Sequence, residues 1–281
     1  MDPEFERKTL LVEERSWWYR GRREIVRQAI AALDLPHHAS ILDAGCGSGR
    51  NMVEFASFGR VTGVDVSEYS VEAARARGLE DVRVAGLNAL PFEDASFDLV
   101  TTLDVIEHID DDVAALREMR RVARPDGRLL VTVPAYPALW SSHDELNHHR
   151  RRYTRETLLA AVERAGWEPL RTTFFNSLLL PVAAAYRLAE RWGLTPPAQT
   201  SAGHEAQLEL GTSWMNGLLE RILLTEAEVI AGGRRRLPAG LSLMAIMRPA
   251  RPIAGGQVGR RPAMDRAPSA ERKAADRVQG S

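Results

Sequence analysis

The spacing of hydrophobic positions changes character at about Ser40. Ahead of it, Ile25, Val26, Ala29, Ile30 and Leu33 recur at helical intervals and predict a helix over 19–33. Residues 1–15 read as an earlier, polar helical stretch. Beyond Ser40, short apolar runs at 40–44, 60–65, 81–85, 97–103 and 127–133 alternate with amphipathic stretches at 50–57, 68–77 and 112–123. That alternation implies an α/β domain with a parallel sheet. Pro125-Asp126-Gly127 reads as a turn before the fifth strand, and Thr154 as the cap of a helix ending at Gly166. A sixth strand is expected over 167–175, helices over 177–192 and 203–230, and a last strand at LSLMAIM, 241–247.

The sharpest local feature is ILDAGCGSGRN, Ile41–Asn51, where a strand runs straight into Gly45, Gly47 and Gly49 and a helix follows. Glycines there permit a tight turn and let the backbone press against a ligand, while the helix start offers unpaired N–H groups. The spacing is G-x-G-x-G, unlike the G-x-G-x-x-G of a pyrophosphate-binding turn. It fits a loop that cradles a nucleoside and an amino acid without phosphate. In VTGVDVS, Asp65 closes the second strand, twenty positions after Gly45. An acid at that point can accept hydrogen bonds from both ribose hydroxyls. The competing structural reading is an N-cap for the helix at 68–77, a role Ser67 can fill instead. Cys46 reads as a small buried residue, since no partner base for a nucleophile lies close in sequence.

Four segments, ILDAGCGSG, VTGVDVS, GLNALPFEDASFDLVTTLDVIEHI and RPDGRLLVTVP, together resemble the class I S-adenosylmethionine-dependent methyltransferases in their small bacterial type 11 form. The resemblance covers about 17–175 and the last strand. It implies a Rossmann-like, seven-stranded, mostly parallel sheet with an antiparallel last strand, an N-terminal helical lid and a helical cap insertion. It also implies S-adenosylmethionine as cofactor and S-adenosylhomocysteine as its product. Asp43, Gly45 and Gly47 would hold the methionine end. Asp65 would bind the ribose, Val66 flank the adenine, Asn88 and Ala89 read the adenine edge, and Leu103 and Asp104 line the sulfonium. The family usually carries aspartate where Asn88 stands, and an asparagine carbonyl can accept from the adenine amino group in the same way.

Two further segments carry chemistry. WWYRGRR, Trp17–Arg23, reads either as a lid in which Tyr19 and Arg20 contact the cofactor carboxylate, or as a helix packing its tryptophans on the sheet with solvated arginines. After the fifth strand comes an uncapped loop of about twenty residues, placed by the topology over the ligand crevice. It holds His143, Asp144, His148, His149 and Tyr153, and His108 joins from the fourth strand. The candidate catalytic residues are His143 as general base, then His108, with Tyr153 beside them. A metal site of His143, Asp144, His148 and His149 matches no arrangement such as H-E-x-x-H, so no metal is expected. The third reading is structural, with these polar groups bonding the loop into shape.

Composition narrows the function. The 281 residues are 44% hydrophobic and 27% charged, and 37 basic residues against 38 acidic ones leave a net charge of −1. That argues against a chain whose main task is gripping nucleic acid. Only Lys8 and Lys273 are lysine, so arginine clusters reflect a codon bias more than binding chemistry. One cysteine excludes a disulfide framework. No apolar run reaches 18 residues and no basic start precedes an apolar stretch, so neither a membrane span nor a secretion signal is expected, and a cytoplasmic location follows. The expected organisation is a lid over 1–38, a cofactor-binding core over 39–176, a helical insertion or cap over 177–236, the last core strand over 237–249 and a disordered tail over 250–281. The insertion reads as an extra helical layer, as a cap over an apolar acceptor pocket, or as a surface for peripheral membrane contact or a partner subunit. The resulting expectation is methyl transfer to an O, N or electron-rich C atom of a small apolar or aromatic metabolite, by a monomer or homodimer. The alternatives are an NAD-linked oxidoreductase and a methyltransferase acting on nucleic acid or protein.

Overall fold

The computed structural model describes residues 12–194, 213–231 and 236–250. Seven strands form one sheet: β1 (Ala39–Ala44), β2 (Gly59–Asp65), β3 (Val82–Val84), β4 (Phe97–Leu103), β5 (Ala123–Pro134), β6 (Trp167–Phe175) and β7 (Ser242–Pro249). Their spatial order is β3-β2-β1-β4-β5-β7-β6. The first five run parallel, and β7 lies antiparallel between β5 and β6. The Rossmann-like α/β architecture with an antiparallel last strand is therefore present. The order reverses between β1 and β4, and the loops leaving those two carboxyl ends part there to open a crevice.

The helices are α1 (Trp17–Ala31), α2 (Arg50–Phe55), α3 (Glu68–Ala76), α4 (Asp112–Val122), α5 (Ser142–Leu146), α6 (Arg155–Arg164), α7 (Leu180–Arg191) and α8 (Ser213–Ala231). Alternation along the strands builds a core on each face of the sheet. Ile41, Leu99, Leu130 and Met244 face a layer holding α1 and α8, with Ile25, Ile30, Leu223 and Ile230. Leu42, Val100, Leu129 and Leu243 face the opposite layer, with Leu116 and Met119 of α4 and Val162 of α6. Burial on both faces explains why the central strands read as continuous apolar runs. The two helices of the first layer cross closely at Gly21, where a Cβ atom would stand 2.4 Å from Leu223 Cδ1.

Local differences from the sequence reading have clear causes. The strand expected at 127 begins at Ala123, because Pro125–Gly127 is a bulge inside β5: Ala123 pairs with Phe97 and Arg128 with Leu99. The segment after β5 is not an uncapped loop. It contains a 3-10 turn at Pro137–Leu139 and then α5, whose start is closed by a capping box between Ser141 and Asp144. Ser141-x-x-Asp144 is the sequence signature of that device. Thr154 caps α6 as expected. The reading of 203–230 as one helix lies outside the described residues before Ser213, as do 195–212, 232–235, residues 1–11 and, after Ala250, the expected tail.

Candidate active site

The crevice is built first by the loop after β1. Gly45 takes φ +85°, and a Cβ there would meet the Val105 side chain at 2.5 Å, so this turn requires glycine. Gly47 also has positive φ, +52°, but nothing lies within 4 Å of where its Cβ would be, which leaves an open approach to the backbone. The loop is tied to β2 by the Gly45 and Cys46 N–H groups, which both donate to the Val64 carbonyl. Asp65 completes the tie: its Oδ2 accepts from Gly47 N at 2.8 Å and its Oδ1 from Ser67 N at 2.9 Å. Ser67 caps α3, so the capping alternative for Asp65 is taken by its neighbour. Each Asp65 oxygen keeps a lone pair for a hydroxyl donor. Val66, next in the chain, is 72% exposed, and Asn88 and Ala89 are exposed in the turn after β3.

Beneath this loop Asp43 is buried. Its Oδ1 accepts from Thr101 Oγ1 at 2.7 Å, and its Oδ2 has no partner among the described residues. Burial raises its pKa to about 7, against the Thr101 hydrogen bond and the positive charge of Arg22. A buried carboxylate oxygen left open fits a cationic donor such as a ligand ammonium. Asp104, just past Leu103 at the end of β4, adopts φ +56°. Its carboxylate accepts from Thr132 Oγ1 at 3.1 Å and pairs with Arg22 at 2.7 Å. Arg22 is buried, and its Nε has no partner among the described residues.

The segment before β1 covers this floor. Glu13 accepts from Ser48 Oγ of the glycine loop at 2.7 Å and is bridged by Arg77. Trp17 is buried and Trp18 stacks on Phe175, with centroids 6.3 Å apart. Tyr19 lies close enough to Arg22, Asp104 and Glu13 to feel their charges, and burial pushes its hydroxyl pKa up to about 12. Arg20 points elsewhere, to Glu220 of α8 at 2.7 Å.

Across from Asp104 stands a polar cluster. Glu107 and His108 occupy the 3-10 turn Ile106–His108 after β4. The His108 ring packs edge-on against His149, centroids 4.8 Å apart, and His149 lies 6.4 Å from His143. His149 Nδ1 bonds Asp144 Oδ1 at 2.8 Å, and Arg152 Nε donates to the same oxygen at 2.6 Å. Despite its burial, Asp144 is held well below the usual carboxylate range by His149 and Arg152. Burial pushes His108 down to about 4, helped by His149. The Tyr153 hydroxyl is turned into the core, donating to Asp112 Oδ2 at 2.7 Å, and burial raises its pKa. Helix α7 lies on this loop: Arg187 donates to the Leu139 carbonyl at 2.9 Å and Glu190 accepts from Ser142 N at 3.3 Å.

A family model described as a methyltransferase domain matches residues 42–131, the stretch from β1 to β5 that carries the glycine loop, Asp65 and Asp104. The chain is 36% identical over 162 residues to a probable S-adenosylmethionine-dependent methyltransferase of Mycolicibacterium smegmatis, covering 55% of this chain and 61% of that one. Over 42–131 the chain is thus similar to a methyltransferase domain. A ubiquinone biosynthesis O-methyltransferase of Xanthomonas oryzae pv. oryzae is 38% identical over 119 residues, 40% of this chain and 49% of that one. The chain thus spans about half the length of the relatives it matches. Among solved structures, a chain in the complex between the Haloferax volcanii Trm112 methyltransferase activator and a methyltransferase superposes with a TM-score of 0.58. It is 19% identical, covers 89% of this chain and 100% of that one, and shows the fold.

The similarity covers the strands and loops that build the crevice of this chain. The structure gathers Asp43, Gly45, Gly47, Asp65, Leu103 and Asp104 at the carboxyl edge of adjacent strands. It separates the three candidate catalytic residues: His108 and His143 flank His149, while Tyr153 is in the core. Two residues escaped the sequence reading. Arg22 lies four places before Val26 and three before Ile25, so the helical stripe already placed it on the buried face. Asp144 was weighed as a metal ligand or as one of the polar groups shaping the loop, but its spacing from Ser141, which marks a capping box, and its bond to His149 were not read.

Proposed function

We propose that this chain transfers a methyl group from S-adenosylmethionine to an O, N or electron-rich C atom of a small apolar or aromatic metabolite. The observation that carries the reading is the bond between the glycine loop and Asp65, set above a buried Asp43 oxygen with no partner among the described residues. Bound there, S-adenosylmethionine supplies an electrophilic methyl group for in-line displacement by the acceptor. The remaining work belongs to the chain. Asp65 accepts from the ribose, Asn88 and Ala89 meet the adenine edge, Val66 flanks it, and Asp43 takes the ammonium. Arg22, with a spare buried Nε beside Asp104, fits the cofactor carboxylate better than Arg20, which is engaged with Glu220. Tyr19 covers that end.

The chief catalytic contribution is alignment of acceptor, methyl and sulfur in a dry pocket. Bonded to the loop after β5, α7 closes the acceptor side. Tyr136, just past β5, stacks on the buried Phe174 at 5.4 Å and 8°. These features favour a small apolar acceptor, and one relative is named for ubiquinone biosynthesis. Where the acceptor must lose a proton, His143 is the base. His108 is too weakly basic for that task, since a general base is most effective with a pKa near the working pH. Tyr153 supports the loop through Asp112. Calorimetric titration with S-adenosylhomocysteine, followed by mass spectrometry of a metabolite extract incubated with enzyme and cofactor, tests the proposal. Binding and a product heavier by one methyl group are expected. Absence of binding overturns it, and a salt-sensitive nucleic-acid or protein acceptor would redirect it.

A further inference from the structure

Glu107, His108 and His149 meet beside Asp104 in an arrangement that methyl transfer does not require. One ligating atom from each, a carboxylate oxygen and two ring nitrogens, all lie within 4.8 Å of one another. Glu107 is fully buried, and neither of its oxygens has a hydrogen-bond partner among the described residues. The nearest arginines are engaged elsewhere: Arg22 with Asp104 and Thr132, Arg152 with Asp144 and the Ala135 carbonyl. His149 also uses one ring nitrogen outside the cluster, its Nδ1 donating to Asp144. A neutral imidazole that donates from one nitrogen presents a lone pair from the other. Three potential ligand atoms therefore converge, and among the described residues no donor reaches either Glu107 oxygen, so burial makes the ionised carboxylate expensive unless a proton or a metal ion fills the site.

We propose that Glu107, His108 and His149 bind one divalent transition-metal ion. Two imidazoles and a carboxylate match the donor set of zinc and its first-row neighbours, with further coordination positions left for water or an acceptor oxygen. The outward bond of His149 to Asp144 is the kind of contact that ordinarily fixes the ring orientation of a metal-binding histidine. Two segments supply the site, and the Arg150 N–H, which donates to the Glu107 carbonyl at 2.7 Å, clamps them together. His143 and His148, weighed as ligands on the sequence alone, are not among the three. The site does not depend on the methyl-transfer reading. An ion here would hold an acceptor oxygen next to the methyl-donor end of β4.

The test is cobalt titration of the full chain, untagged and stripped by chelator, followed by visible absorption. Expected is a ligand-field band that saturates at about one cobalt per chain and is removed by one equivalent of zinc. Glu107→Gln and His149→Ala should abolish the band or weaken binding at least about tenfold, while His143→Ala should bind as wild type does. Circular dichroism of each variant checks its folding. Retained binding of S-adenosylhomocysteine by His149→Ala separates this site from the cofactor seat. No saturable band in the wild type, or wild-type cobalt binding by folded Glu107→Gln and His149→Ala, overturns the proposal.

Discussion

Asp43→Asn isolates the buried carboxylate beneath the glycine loop. In the folded chain Asp43 is 1% exposed, and burial raises its pKa from 3.8 to about 7. The fold therefore holds the proton more tightly than the unfolded chain does. With respect to this group, stability is full below about pH 3.8, falls as pH rises through the interval to about 7, and then levels off. At 1.36 kcal/mol per pH unit, burying the charge costs roughly 4 kcal/mol at pH 8. Asparagine does not ionise, and its carbonyl can still accept from Thr101. Relative to wild type, the cofactor-free variant should thus gain roughly 3 kcal/mol in urea unfolding between pH 5 and pH 8. Calorimetry with S-adenosylhomocysteine should show the opposite effect, at least about tenfold weaker binding, because the ammonium loses its charged partner. A variant equally destabilised at both pH values would refute the buried-charge argument. Unchanged cofactor affinity would remove Asp43 from the methionine end.

Three other substitutions address separate joints of the structure. Arg22→Ala leaves Asp104 without its cation and lets Asp43 become harder to ionise, so unfolding should show a loss of up to about 3 kcal/mol, with weaker cofactor binding at pH 7. Glu226→Ala strips the acceptor from three backbone N–H groups, of Asn176, Ser177 and Leu178 at 2.6, 2.8 and 3.1 Å, and should cost about 3 kcal/mol in denaturant unfolding without altering cofactor affinity in the native state. Tyr153→Phe should cost about 1–2 kcal/mol through the lost bond to Asp112 and leave the methylation rate within a few-fold of wild type. A rate collapse without a stability change would instead make Tyr153 catalytic.

What the sequence disclosed and what it hid divide along physical lines. The glycine loop and Asp65 were legible because both features are local: a turn that needs positive φ, and an acid at a strand end. The central β-strands were legible because two-sided burial keeps them mostly apolar, interrupted chiefly by small threonines. Which arginine of Trp17–Arg23 enters the site was harder, since successive helical residues point about 100° apart and the choice depends on how α1 docks at Gly21 and Leu223. The histidine grouping was hidden for a similar reason. The bulge in β5, the capping box of α5 and the positive φ of His148 set the path of the chain, and together they bring His149, and not His143, against His108 and Glu107. Pro125-Asp126-Gly127 carries a turn signature, but pairing of β5 on both sides of it turns that signature into a bulge.

The central claim is that Asp65 and the Gly45–Gly47 backbone seat the adenosyl donor. A crystal structure of the chain with S-adenosylhomocysteine tests it most directly. The account predicts ribose hydroxyls within hydrogen-bonding distance of Asp65 and the ligand ammonium at Asp43 Oδ2. A ligand lodged elsewhere, or an empty crevice at saturating ligand, would contradict it.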